Sequence, residues 1–445
     1  MSAFVKSIPL ADRLVRRNPL YYAGFRRLLQ QCEGASLAER RAIAERLLAR
    51  TRAWVRPLPG YGSFDLTRPM AEQPVLTKDA LQNNGGDFLS SSWLPAAHAA
   101  TGGTTGVPLQ LVRSLQSLTM EQAMIDHLAA MAGVELPRTR VAVLRGDGIK
   151  DPNDQQPPFW RQASPQRLVF SSNHLSAANF PAFERELLRF RPDVLLAYPS
   201  SLELLTDLAE ERDSKIRFKL VLTSSEMLRA GQRARVRACF GAALVDYYGM
   251  AERVSAAYSL EEGQYRFVLP YGFTELVEAS PGRYRIIGTG LWNRRQPFWR
   301  YDTDDIAILS EGAGAEQLER IGLGLDTFSG IEGRWSDYFL MPDGSRIWTL
   351  DQVPHGVDGA ATVQLLQESL DTAVLIVVPN SKFSDQTFDV LRHNFYLKAP
   401  RNIKLKLELR DTPYRLANGK APSFISAVAN DPTQTAGTAQ QSAPV

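Results

Sequence analysis

The sequence predicts an α/β protein: a large N-terminal domain of several subdomains, with parallel sheets, helices and a small β subdomain, then a small α+β C-terminal domain. Three observations predict it. Short apolar runs at residues 141–144, 194–198, 220–223 and 244–247 alternate with helix-period segments at 115–133, 178–190 and 202–212. That rhythm builds βαβ units and a mainly parallel sheet. From residue 265 to 309 the pattern changes to short strands with glycine and proline turns, as antiparallel or barrel-like strands require. Beyond Gly330 and Gly333 a shorter stretch reads strand, helix, strand at 373–378, 385–396 and 404–409.

Taken in order, residues 1–55 read as helical. Asn18-Pro19 opens one segment, and Leu37, Ile43, Ala44, Leu47 and Leu48 recur at helical spacing in the next. Pro57, Pro59, Gly60 and Gly62 end that pattern. The alternating segments follow, then the glycine-punctuated strands. Domain boundaries are expected at 1–332 and 333–428. Residues 429–445 are small and polar with one charged side chain, and are expected to be a disordered tail.

A chain of 445 residues is longer than one ordinary hydrophobic core serves. Hydrophobic residues make up 44% and charged ones 22%, the balance of a globular protein. The net charge of +3 does not point to nucleic acid, and the Arg-rich stretch 38–52 reads as a solvated helix face. The two cysteines, Cys32 and Cys239, lack Cys-x-x-Cys spacing, which argues against a disulfide framework or zinc site. No apolar run approaches a membrane span. The N-terminus, with Lys6, Asp12 and Arg13, lacks the apolar stretch of a secretory signal. The expectation is a cytoplasmic protein with no membrane span and no nucleic-acid partner.

Five motifs carry chemistry. Thr101-Gly102-Gly103-Thr104-Thr105-Gly106 packs three glycines and three threonines into six positions. Backbone N–H groups and hydroxyls turned toward one point suit a polyphosphate; a hairpin tip is the other reading, and no Gly-Lys-Ser/Thr ending makes it a Walker loop. Asp246-Tyr247-Tyr248-Gly249-Met250-Ala251-Glu252 follows an apolar run, where an α/β sheet places ligands. There Glu252 suits Mg²⁺ on a phosphate and Tyr248 suits a base, against the alternative of a strand-to-loop turn with an ion-paired glutamate. Tyr301-Asp302-Thr303-Asp304-Asp305 sets three acids in four residues, one of which can accept both hydroxyls of a ribose; otherwise it is an acidic turn, or a calcium-like cluster without the full ligand spacing. Gly330-Ile331-Glu332-Gly333-Arg334-Trp335-Ser336-Asp337 falls at the domain boundary. Asn418-Gly419-Lys420 lies near the end, where a lysine on a mobile loop can reach a developing phosphorane or remain an ordinary exposed lysine.

Together and in this order, over residues 90–425, the motifs resemble the adenylate-forming superfamily of acyl- and aryl-CoA ligases, nonribosomal adenylation domains and luciferases. The family pattern runs from a Thr-Gly-x-Pro loop through Tyr-Gly-x-Thr-Glu, Tyr-Arg-Thr-Gly-Asp and Gly-Arg-x-x-Asp to Asn-Gly-Lys. Within it the chain looks most like the phenylacetate-CoA ligase branch and its CapK-like members. The matching features are Thr223-Ser224-Ser225-Glu226, Tyr248-Gly249-Met250-Ala251-Glu252-Arg253 and Ile331-Glu332-Gly333-Arg334-Trp335-Ser336-Asp337-Tyr338.

The resemblance implies an N-terminal adenylating domain and a mobile C-terminal domain. It implies ATP-dependent activation of a carboxylic acid, aryl or acyl, to acyl-AMP with pyrophosphate release, then transfer to coenzyme A. Thr101, Gly102, Gly103, Thr104, Thr105 and Gly106 would cradle phosphates. Ser224, Ser225, Glu226, Tyr247, Tyr248 and Gly249 would surround the adenine, and Asp305 and Arg334 would reach the ribose. Glu252 would be a catalytic residue and hold Mg²⁺, Lys420 would serve adenylation, and Arg334 and Asp337 would form the hinge. Asn173, His174 and Tyr198, each just beyond an apolar run, are expected at the acyl pocket, against the other readings of a satisfied structural histidine for His174 and a packing residue for Tyr198. The partner is a small-molecule acid, with a carrier protein and a homodimer left open. Transfer to a carrier-protein thiol or an amine, and a degenerate nucleotide-binding homologue, remain the alternatives. Four positions depart from the pattern: Ala251 lacks its hydroxyl, Asp302 replaces Arg, Asp304 replaces Gly and Val107 replaces Lys.

Overall fold

The computed structural model describes residues 14–91, 95–101, 109–144, 149–151, 154–226, 228, 231–332, 339–344, 346–347, 350, 353–354, 357, 359–380, 382–414 and 424–428. They form two compact units, the larger holding most described residues up to 332 and the smaller those from 339 onward.

The larger unit opens with α1 (Tyr22–Glu33), α2 (Leu37–Val55) and α3 (Lys78–Asn84). A capping box starts α2: Ser36 takes the backbone N–H of Glu39, whose carboxylate accepts the N–H of Ser36 at 2.7 Å. An antiparallel hairpin of β1 (Ala96–Ala100) and β2 (Gln110–Ser114) leads into α4 (Leu115–Met131). Next come β3 (Val141–Leu144), β4 (Trp160–Ser164), β5 (Arg167–Phe170), α5 (Phe180–Phe190), β6 (Val194–Ala197), α6 (Pro199–Glu211), β7 (Leu220–Ser224), α7 (Gln232–Phe240), β8 (Ala243–Gly249), β9 (Ala256–Glu261) and β10 (Gln264–Phe267).

These strands make an eight-stranded sheet in the order β10-β9-β8-β7-β6-β3-β5-β4. Its five central strands are parallel and its outer pairs antiparallel. Successive residues pack into different cores. Val141, Val143, Leu220, Leu222 and Val245 join α1, α2 and α4, whereas Ala142, Leu144, Leu195, Val221 and Leu244 join Phe183 of α5, Leu205 of α6 and Phe240 of α7. Both faces are covered, so the strands read as continuous apolar runs.

A second, antiparallel sheet of the larger unit orders β11 (Gly272–Ser280), β12 (Arg283–Gly290), β13 (Tyr301–Ile308) and β14 (Gly330–Glu332), with α8 (Ala315–Gly322) beside β11. The smaller unit holds β15 (Phe339–Leu340), β16 (Arg346–Ile347), β17 (Ala360–Ser369), β18 (Thr372–Pro379), α9 (Asp385–Tyr396), β19 (Lys404–Leu409) and β20 (Phe424–Ser426). Its four-stranded sheet runs β19-β18-β17-β20, and Leu365, Leu375, Leu391 and Phe395 share its core.

One row of paired residues sets the geometry of the site: Phe170, Leu144, Ala197, Thr223 and Asp246 lie side by side across the five parallel strands. Whatever follows them in sequence leaves the same carboxyl edge, where open α/β sheets bind ligands.

Candidate functional site

The hairpin comes first. At its open end the N–H of Thr101 donates to the carbonyl of Leu109 at 3.0 Å, and the Thr101 hydroxyl accepts from the N–H of Leu109 at 2.9 Å. Thr101 is buried, so this clasp fixes both ends of the Gly/Thr loop. Gly102, Gly103, Thr104, Thr105 and Gly106 lie outside the described residues, as do Arg334, Asp337 and Lys420.

The Glu252 turn leaves the end of β8. The N–H of Arg253 donates back to the carbonyl of Met250 at 3.2 Å, and Arg253 adopts φ 59°. Left-handed backbone on a long side chain is costly and needs fixed surroundings. Val254 supplies them, fully buried against Gly272 and Gly288 of the antiparallel sheet, where a Cβ at either glycine would overlap it. Glu252 itself is half-buried.

The acidic stretch sits at the start of β13. Its three acids do not simply repel. Buried Asp302 is ion-paired with Arg285 and accepts the N–H of Asp304 at 3.1 Å. Asp304 has φ 60°, a left-handed conformation that glycine takes freely and that Asp is among the few side chains to tolerate. The Thr303 hydroxyl donates to the carbonyl of Ile286 at 2.8 Å and accepts from the N–H of Asp305 at 3.2 Å. Thus the two departures from the pattern are absorbed locally, one by a counter-charge and one by backbone tolerance.

Two tyrosine–carboxylate bonds then join these stretches. The Tyr248 hydroxyl donates to Asp305 at 2.7 Å, and the Tyr301 hydroxyl donates to Glu252 at 3.0 Å. Burial, then the adjacent carboxylate, pushes both phenols well above their usual range, so each remains a donor. Each stretch lends the other one tyrosine and one carboxylate.

The remaining candidates line the same carboxyl edge. Ser224 pairs with Tyr247 in register; its hydroxyl lies 3.3 Å from that of Ser225, which is exposed with φ 74°. Glu226 is half-buried. The Tyr247 side chain packs into the core with Val245, leaving its backbone at the edge. Beneath, Asp246 accepts from Thr223 at 2.6 Å and Tyr265 at 2.5 Å, and burial raises its pKa. Asn173 and His174 sit in a short turn after β5. His174 is 2% exposed, holds Ser171 through Nδ1 at 2.7 Å and stacks on Phe159. Tyr198 is half-buried at the N-cap of α6.

No family model matches the sequence, and neither does any curated protein. Among solved structures, 2-hydroxyisobutyryl-CoA ligase in complex with 2-HIB-AMP and CoA covers 88% of this chain and 91% of its own, at 17% identity and a TM-score of 0.51. The chain has the adenylate-forming ligase fold. MbtA of Mycobacterium smegmatis covers 73% of this chain and 63% of its own, at 16% identity and a TM-score of 0.36. An acyl-CoA synthetase of Brucella canis covers 73% and 62%, at 14% identity and a TM-score of 0.35. These two weaker likenesses add nothing to the fold assignment.

Within that fold, the larger unit brings Thr101, Ser224–Glu226, Tyr248, Glu252 and Asp305 onto the hairpin base, the sheet edge and the turn beyond it. Two residues unassigned by sequence stand among them. Tyr301 heads a motif whose acids carry the sequence signal. Arg113, on β2, donates from Nε at 3.1 Å and Nη2 at 2.6 Å to the carbonyl of Ala251; no local pattern marks a lone arginine whose target is 138 residues away. Among the described residues no three His, Cys, Asp or Glu side chains converge as a metal cage, and no helix is long and apolar enough to cross a membrane.

Proposed function

We propose that this chain activates a carboxylic acid with ATP, forming acyl-AMP and pyrophosphate, and passes the acyl group to coenzyme A. Its place is the phenylacetate-CoA ligase branch of the adenylate-forming enzymes. The observation that carries the reading is the reciprocal bonding of Tyr248 to Asp305 and Tyr301 to Glu252. Two stretches that the resemblance assigns to one nucleotide are held together, although nothing local connects them. The solved 2-hydroxyisobutyryl-CoA ligase, which holds 2-HIB-AMP and CoA on this fold, supports the same pair of reactions.

In this reading Thr101 and the loop to Gly106 cradle the phosphates. Ser224, Ser225, Glu226, Tyr248 and Gly249 flank the adenine, with Tyr247 contributing backbone only. Asp305 accepts the ribose hydroxyls, aided by Arg334. Glu252 offers one hard carboxylate oxygen, which suits a Mg²⁺ held mainly by phosphate oxygens and water. That ion would offset charge on the phosphates. A carboxylate oxygen of the acid attacks the α-phosphorus, the bond to the bridging oxygen breaks, and pyrophosphate leaves. Lys420 lowers the cost of the charge building at phosphorus. After rotation at Arg334 and Asp337, the coenzyme A thiolate attacks the acyl carbonyl and AMP leaves. In this reading Asn173, His174 and Tyr198 border the acid, and His174, held to Ser171 and stacked on Phe159, shapes that wall rather than moving protons. The pairing of Asp302 with Arg285 counts against a degenerate homologue, because it removes the charge that would repel a nucleotide.

Pyrophosphate release from the purified protein, with Mg²⁺-ATP and a panel of aryl, fatty and amino acids with and without coenzyme A, tests the reading. Release dependent on one acid class, with acyl-CoA formed, is expected. Adenylate formed without thioester would redirect the acceptor to a carrier protein or an amine. No release with any acid would overturn the proposal.

A further inference from the structure

Glu252 is held from two sides, and only one of them is the tyrosine. Its side chain is fixed by Tyr301. Its backbone is fixed one residue earlier, at the carbonyl of Ala251, which takes two N–H groups from the single guanidinium of Arg113. Ala251 itself brings no polar side chain to the turn.

Both anchors come from segments that are hydrogen-bonded to each other. Strand β2 is pinned to the connection that ends in Tyr301: the N–H of Val112 donates to Gln296 at 2.9 Å, and the amide of Asn293 bridges the carbonyl of Val112 and the N–H of Ser114, each at 2.9 Å. The same strand begins at the clasp that closes the Gly/Thr loop. Arg113 therefore links the base of that loop directly to the peptide preceding Glu252. Around the guanidinium stand Glu121 and Glu252, which attract it, Tyr271, and Arg253, which repels it. Arg253 is turned aside onto Ser117 and Glu121, leaving Arg113 as the clamp.

We infer that Arg113 is the positioning residue of Glu252, tying the turn that carries its carboxylate to β2, so that Glu252 would be held ready to take a Mg²⁺. The inference rests on the adenylation reading above. It assigns the anchoring of this turn to a side chain from another strand. An arginine that merely filled a buried space would stabilise the fold without affecting how the protein responds to Mg²⁺.

The test is isothermal titration of ATP into the full chain across a Mg²⁺ series, with an EDTA control, for the wild type, Arg113→Lys and Arg113→Gln. Affinity in EDTA should be unchanged. The Mg²⁺ concentration that half-saturates the tightening should rise about tenfold in Arg113→Gln, the scale of lost charge-assisted hydrogen bonds. Arg113→Lys, which keeps the charge and one donor, should recover part of the shift. A simple charge effect has the opposite sign: removing a cation near Glu252 would lower the Mg²⁺ requirement, and that result in Arg113→Gln overturns the inference. So does an unchanged Mg²⁺ response with only a lower melting temperature. If Arg113→Gln does not fold, Arg113→Lys decides by the same criterion. If the wild type binds no ATP at any Mg²⁺ concentration, the adenylation reading itself falls and this inference falls with it.

Discussion

The Tyr301 hydroxyl is the only side-chain donor to Glu252 recorded among the described residues, and a neutral donor on a carboxylate is worth about 1.5–3 kcal/mol. Tyr301→Phe removes it with little change of shape. It should lower kcat/KM for Mg²⁺-ATP in pyrophosphate exchange by roughly tenfold to a hundredfold. A wild-type rate would show that Glu252 needs no such support. At Asp304 the backbone decides. Its φ of 60° disfavours a Cβ by about 1–2 kcal/mol, a cost glycine escapes. Asp304→Ala should therefore be less stable than Asp304→Gly by about 1 kcal/mol in urea unfolding. Equal stabilities would mean that the turn relaxes. The motifs were legible in sequence because each is a local string; that Tyr248 serves Asp305 and Tyr301 serves Glu252 was not, because those bonds span 57 and 49 residues.

At the scale of elements, the Glu252 turn is seated by two glycines. A methyl group at Gly272 would overlap the Val254 carbonyl oxygen, which is backbone and cannot rotate away. Gly272→Ala should cost about 3 kcal/mol or lose soluble protein altogether, and chemical denaturation reads it. Helices α1 and α4 meet through His127, whose Nε2 lies 2.5 Å from Glu33. Burial lowers the His127 pKa, with Arg26 adding to that, while Glu33 opposes it. A depressed histidine is neutral in both states above about pH 6.5. Below that the unfolded chain takes up the proton first, so stability falls as pH drops. His127→Gln should flatten the slope of unfolding free energy as pH falls below about 6.5, and an unchanged slope would rule out this pair as its source.

Elements whose pattern is simple were legible. Strands β3 and β19 and helix α9 have the bounds that their sequences suggest. Helix α6 starts at Pro199, earlier than its apolar residues indicate, because proline suits the first turn. Helix α7 was not marked: of its nine residues only Gln232, Val236 and Phe240 are buried, and arginines fill much of the rest. Strand β17, the central partner of β18, went unmarked because buried Gln364 and Gln367 interrupt its apolar run. Their amides are satisfied by backbone at Tyr414 and Leu340, partners that a local pattern does not reveal.

For the whole molecule, the proposed chemistry needs Lys420, which lies outside the described residues, to act on the nucleotide held by the larger unit. Lys420→Ala should slow adenylation about a hundredfold or more while ATP still binds. Pyrophosphate exchange and calorimetry on one preparation measure both. An unaltered exchange rate would remove Lys420 from the reaction.

By itself the sequence determined the α/β class, the parallel strands and the strings of candidate site residues, since all of these follow from local period, turn chemistry and residue type. The tertiary structure alone decided that Asp302 is neutralised by Arg285, that the acids are held by tyrosines, and that Arg113 grips the Glu252 turn. The physical reason is the same in each case: buried charges and carbonyls must find partners, and those partners arrive from strands that only the folded sheets bring together.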